Sequence, residues 1–237
     1  MTPTPTWLEI ARGPLFRFAL VVVVVGLARL VFLAVWGMVA ALRHAGDRNL
    51  PYAQVFKDTL VWLFPIHRLH HARPAYSYAS FIFHVGIILG MLFLQNHLDL
   101  LRSTVGVSWP ALPRSLLDIF TLATITTGFY LLLHRLYIRS ARVLSKAMDY
   151  ILLLLLLNIF VSGYIAGRPW NPIPYDGLML FHTINGLVLI ILIPFTKIAH
   201  CVLFPLVRLA SEIAWHLTPH GGADVVRTLY GTEGRKI

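Results

Sequence analysis

The chain has 237 residues, 57% hydrophobic and 13% charged, with a formal net charge of +10. A soluble domain carries about twice that charged fraction, so the composition excludes a soluble enzyme, and basic residues confined to short connections between apolar segments argue against nucleic acid as a partner. The one cysteine, Cys201, excludes an intrachain disulfide, a Cys-rich iron–sulfur or zinc site and a CxxCH haem attachment; by itself it reads as a small apolar packing residue.

A membrane-crossing helix needs about 20 mostly apolar residues. Five segments meet that need, over 15–42, 76–98, 116–133, 148–166 and 178–207. The first is long and has no small-residue cleavage site after it, so it does not read as a cleaved signal. The fourth connection, Gly167 to Pro174, holds Pro169, Pro172 and Pro174 and cannot be helical. Trp170 within it fits an interfacial belt.

The connections set orientation. The first carries Arg43, Arg48, Lys57, Arg68 and Arg73, and the third carries Arg135, Arg139, Arg142 and Lys146. The tail adds Arg208, Arg227, Arg235 and Lys236, whereas the second and fourth connections hold only Arg102, Arg114 and Arg168. Basic connections stay in the cytoplasm. The expected fold class is therefore all-α, an integral membrane bundle of five transmembrane helices, with the N-terminus outside and the C-terminus cytoplasmic. Residues 1–210 form the transmembrane domain and 211–237 a cytoplasmic tail that meets a partner.

Chemistry falls to the eleven histidines. A polar side chain at membrane depth is costly and usually has a role. His84 and His97 lie on the second segment, His182 and His200 on the fifth. On one ideal helix His182 and His200 are separated by five whole turns, about 27 Å, and share a face. The second segment runs antiparallel to the fifth, which levels His84 with His200 and His97 with His182. Paired imidazoles at two depths suit the axial ligation of two low-spin haems, and with no CxxCH these are b-type, held without thioether bonds. His84 and His97 are about 140° out of phase on a straight helix, so tilt or bending near Gly86 and Gly90 has to bring them together. The competing reading is four packing histidines bonded to neighbouring helices. His134 needs no more than an interfacial role. His67, His70 and His71, with Arg68 and Arg73, read as a basic surface facing lipid or a protein partner, or else as a metal site. His44, His216 and His220 read as solvated.

Three motifs carry a family resemblance. Phe83-His84-Val85-Gly86, Phe181-His182-Thr183-Ile184-Asn185-Gly186 and Ile193-Pro194-Phe195-Thr196-Lys197-Ile198-Ala199-His200 resemble the gamma subunit of respiratory nitrate reductase and its relatives. The resemblance covers roughly Leu15 to Arg208. It implies a diheme cytochrome b of a prokaryotic inner membrane that takes electrons from quinol near the outer face. They would pass to a cytoplasmic-side iron–sulfur or other redox subunit of a multi-subunit complex. By this resemblance His84 and His200 hold the inner haem and His182 the outer one. Leu94 stands at the family's spacing for the fourth ligand, and His97 is its natural substitute. The family also includes cytochromes b that serve hydrogenases, heterodisulfide-reductase-like proteins and sulfur-metabolising complexes.

Arg29 and Lys197 are plausible partners for haem propionates, with snorkelling toward the interface as the alternative. Quinol oxidation needs a proton acceptor near the outer haem. His97 is close by position, and Arg114 matches a basic residue before the third helix in the nitrate reductase relatives; ordinary loop charge is the alternative. Two other functions compete with an electron-transfer subunit that has quinol/quinone oxidoreductase activity. One is a haem-poor or haem-free membrane anchor. The other is a transporter with a histidine proton relay, which the lack of inverted repeats argues against.

Overall fold

A computed structural model describes residues 6–44, 50–63, 73–217, 227 and 231. The described residues are almost wholly helical and contain no strand. We number the helices α1 (Trp7–His44), α2 (Tyr52–Leu63), α3 (Pro74–Phe93), α4 (Gln95–Val105), α5 (Arg114–Tyr137), α6 (Arg139–Leu144), α7 (Ala147–Ala166), α8 (Tyr175–Leu192) and α9 (His200–Leu217). Among the described residues, six segments are long and apolar enough to cross a membrane: Trp7–His44, Pro74–Phe93, Arg114–Tyr137, Ala147–Ala166, Tyr175–Phe195 and Lys197–Trp215. At most 22% of any of their apolar windows is buried, so most of their large apolar side chains face outward, as lipid-facing helices require. The chain is a multi-pass helical membrane protein.

The expected single fifth span is two candidates, Tyr175–Phe195 and Lys197–Trp215. Pro194 has no N–H to continue the ladder, and the backbone tightens to a 3-10 turn at Ile193–Phe195. Thr196 is fully extended (φ −130°, ψ −178°), and its hydroxyl accepts the Ile198 N–H at 3.3 Å before a second 3-10 turn, Lys197–Ala199. His182 and His200 therefore do not share one straight helix, and the five-turn argument for a common face fails. Helix α2 lies within what the sequence reads as the first connection. Position 210 falls inside α9.

The chain divides into two compact units, Met1–Val23 with Arg68–Leu192, and Val24–His67 with Ile193–Ile237. In the first unit α3 packs along α5, α5 on α7, and α7 on α8. Small residues set these approaches, as expected where lipid removes the hydrophobic drive between helices. A Cβ on Gly86 would stand 1.7 Å from Thr124 Oγ1, and one on Gly128 would stand 2.7 Å from Leu157 and 2.8 Å from Phe83. Ala79, Phe83, Leu131, Leu153 and Leu157 form the core there. A second cluster joins Ala11, Phe16 and Ala19 of α1 to Leu187 of α8. It surrounds a π-helical turn, Ala11–Leu15, that accommodates Pro14. Proline lacks an N–H and crowds the carbonyl four residues back.

In the second unit α2 packs on α9. Arg208 pairs with Glu212 and lies 3.8 Å over the Trp62 ring. Gly26 of α1 faces Pro194 so closely that a Cβ would stand 2.6 Å from it. Cys201 is exposed on α9 rather than packed.

Candidate functional site

Helix α3 ends at Phe93, where Leu94 turns extended (φ −76°, ψ 126°). The last carbonyls of a helix have no partner within it, and here each finds one from outside. The His97 Nδ1–H donates to Gly90 O at 3.1 Å and Met91 O at 3.2 Å. The Trp109 indole donates to Leu92 O at 2.8 Å, and the Leu112 N–H to Phe93 O at 3.1 Å. The chain then restarts as α4, which ends at Gly106 in the left-handed region (φ 75°). His97 thus sits on a separate short helix, folded back against the end of α3. Gly86 and Gly90 lie within the continuous helix α3, as packing positions against Thr124 and Phe160.

That fold-back brings His97 to His182. Their ring centroids are 6.2 Å apart and their planes within 10° of parallel. Rings in face-to-face contact would lie about 3.5–4 Å apart. The His182 Nδ1–H faces Ile159 O at 3.1 Å and Ser162 Oγ at 3.2 Å, both on α7. The buried Ser162 hydroxyl donates its own proton to Asn158 O at 2.6 Å, so toward His182 it accepts. The ring fits only because position 163 is glycine; a Cβ there would stand 2.8 Å from His182 Cε1. Both imidazoles therefore carry their proton on Nδ1, bound to backbone oxygen, and present Nε2 as the lone-pair nitrogen.

His97 lies beyond the apolar windows of the spanning helices. Burial lowers its pKa from the usual 6.5, against the smaller raising effect of the Met91 and Gly90 carbonyls. The unfolded chain then binds a proton that the folded chain refuses. This group's contribution to stability is complete above the ordinary imidazole range and declines as pH falls through 6.5 toward the lowered value. Thermal unfolding in detergent between about pH 8 and about pH 5 is expected to show a steeper acid loss for the native chain than for His97→Gln. Equal slopes would mean that His97 titrates as an exposed group does.

The other two histidines share this local chemistry, each within its own unit. His84 Nδ1 lies 2.7 Å from Ser80 O on α3, in the first unit. His200 opens α9 in the second, with Nδ1 2.6 Å from Lys197 O. A shallow, largely apolar cleft of about 290 Å³ borders His200, lined by Thr196, Lys197, Leu203 and Phe204 among others. Lys197 and Arg29 are exposed in the same unit. His134 is half-buried beside Tyr76, with ring centroids 4.6 Å apart, and Tyr130 at 6.1 Å. His67, His70, His71 and His220 lie outside the described residues.

Arg114, at the start of α5, donates to the Gly167 carbonyl at the end of α7. Beside it Arg168 pairs with Asp118 at 2.8 Å and lies 4.0 Å over the Tyr164 ring. Sequence reasoning missed Asp118, Ser162, Gly163, Trp109 and Arg12. Only Ser162 and Gly163 had a legible signal, a small polar residue and a glycine adjacent in an otherwise bulky helix. Among the described residues no three His, Cys, Asp or Glu side chains converge as a metal site.

No protein-family model matches the chain, and no solved structure matches it. It is similar to a protein of Nitratidesulfovibrio vulgaris (strain Hildenborough) that is designated simply "Protein". The two are 34% identical over 149 residues, 62% of this chain and 65% of that one. It is also similar to a subunit of the dihydromethanophenazine:CoB–CoM heterodisulfide reductase of Methanosarcina barkeri (strain Fusaro). There the identity is 26% over 140 residues, 52% of each chain. The chain thus spans between about half and two thirds of the length of these curated relatives. Fold and comparison together define a multi-pass helical membrane protein distantly similar to a subunit of a heterodisulfide reductase.

Proposed function

We propose that the chain is a membrane cytochrome b subunit of the nitrate reductase gamma type. It transfers electrons between the quinone pool and a partner oxidoreductase through two b-type haems. His97 and His182 hold one haem, and His84 and His200 are the remaining ligand candidates, each in its own unit. The carrying observation is the pair of parallel imidazoles whose centroids lie 6.2 Å apart, each with Nδ1 bound to backbone oxygen. A metal–imidazole bond is about 2 Å, and the ring centre lies about 1 Å behind the nitrogen, so two imidazoles flanking one metal hold their centroids about 6 Å apart. Ligating histidines usually donate their other N–H to a carbonyl or carboxylate. Two imidazoles, with no third His, Cys, Asp or Glu converging on them among the described residues, suit a metal whose remaining ligands come from a macrocycle. The M. barkeri relative's name, which makes it part of a reductase, agrees with this reading.

When bound, haem supplies reversible one-electron storage at iron. The chain's own residues do the rest. Gly163 admits the His182 ring, Ser162 and Ile159 fix its tautomer, and the end of α3 fixes that of His97. Arg29 and Lys197 stand in the unit of His200 as cations for propionates. His97 and Arg114 remain the candidates for quinol, with the Asp118–Arg168 pair beside Arg114. The partner is a cytoplasmic-side iron–sulfur or other redox subunit, and the setting is the inner membrane of a prokaryotic cell. Helix α9 is the least apolar of the crossing candidates and carries both Arg208 and Glu212. We read it as resting at the cytoplasmic face, which keeps five crossings with the N-terminus outside.

The test is haem per chain in purified protein, with oxidised and dithionite-reduced visible spectra. Two b-type haems are expected. One haem would restrict the reading to a single histidine pair. A folded, haem-free chain from a haem-replete host would leave the membrane-anchor reading in its place.

A further inference from the structure

Resting on the haem reading, we infer that Arg12 is the anion-binding residue of the His97–His182 site and pairs with a carboxylate of the group those histidines hold. Arg12 belongs to the π-helical turn of α1, and that turn packs against α8, the helix that carries His182. Its neighbours Ala11 and Phe16 are buried in the cluster with Leu187 and are flanked by Leu100 and Leu180. This packing fixes the turn's position beside the site. Arg12 is half-buried and lies within electrostatic reach of His182. Single π turns inside α-helices are frequently found at functional sites.

The other cations at this end of the unit are accounted for. Arg114 is bound to the Gly167 carbonyl and Arg168 to Asp118. Arg17 and Arg102 are exposed. The acid nearest Arg12 in sequence, Glu9, is turned back to accept from the Thr6 N–H and hydroxyl. Among the described residues, no acceptor lies within hydrogen-bond distance of the Arg12 guanidinium. A partly buried guanidinium in apolar surroundings calls for a counter-anion, and its planar fork suits a carboxylate. A porphyrin of the b type carries two such carboxylates on its edge. A lipid headgroup phosphate is the other anion available at a membrane surface.

The experiment is a redox titration of the full-length chain in detergent, comparing the native protein with Arg12→Gln and Arg12→Lys. A nearby cation disfavours the extra positive charge of the oxidised iron. Its loss in Arg12→Gln is therefore expected to move one haem's midpoint potential to more negative values and leave the other unmoved. The same haem should dissociate about tenfold more readily, and Arg12→Lys should restore most of both effects. A native chain with two haems and an Arg12→Gln variant with neither change overturns the assignment of Arg12 alone. Loss of co-purifying phospholipid from Arg12→Gln with unmoved potentials also overturns it, and gives the guanidinium to lipid phosphate. A native chain without haem overturns the haem reading together with this one.

Discussion

Replacing His182 with alanine is expected to remove one of two b-type haems and leave the spectrum of the other intact. The His182 and His97 ring centroids lie 6.2 Å apart, and among the described residues no cysteine or carboxylate converges with the pair. Ser162→Ala provides the graded control. It deletes one acceptor of the His182 Nδ1–H and keeps the Ile159 carbonyl. Loss of such a supporting partner typically weakens metal binding by about ten- to a hundredfold. Haem titration and reduced-minus-oxidised spectra check both variants. Full haem content in His182→Ala would show that His97 and His182 are packing partners and nothing more.

The second large effect concerns stability. A methyl group added at Gly86 would stand 1.7 Å from Thr124 Oγ1 and 3.1 Å from the Phe120 carbonyl. Thr124 is fully buried, and its hydroxyl donates to Phe120 O at 2.7 Å. It has no room to turn away without losing that bond. Overpacking of this kind costs about 1–3 kcal/mol, so Gly86→Ala should lower the melting temperature in detergent by several degrees. Adding Thr124→Ala removes the nearer obstacle and should recover most of the loss. Independent, additive effects of the two substitutions would show that α3 and α5 do not meet at this position.

The spans themselves were legible because apolar length is a one-dimensional signal. Segments read at 116–133 and 148–166 fall inside Arg114–Tyr137 and Ala147–Ala166. The interruptions were less legible. Leu94-Gln95-Asn96 contains neither proline nor glycine, and the break there depends on Trp109, Leu112 and His97 arriving from farther along the chain. Thr196 follows a visible proline, but whether Pro194 kinks or ends a helix depends on what receives the freed backbone groups. Arg12 gave no signal because its importance comes from Pro14 widening the turn and from α8 lying opposite. The four histidines stood out as polar residues in apolar stretches, but neither pair lies on one straight helix. His97 escaped its unfavourable phase through a new helix, and His182 and His200 lost their favourable one through a break.

The way α3 ends has a consequence for recognising such chains. His97 is oriented by the terminal carbonyls of the preceding helix, so the number of residues separating it from His84 is not tied to helical periodicity. Drift in that number leaves the imidazole's anchor in place so long as the histidine returns to the same carbonyls. A search pattern that demands a fixed interval between two histidines of one helix passes over a chain built this way. A pattern that asks for one histidine inside an apolar helix and another shortly after its last turn, followed by tryptophan, would retrieve it.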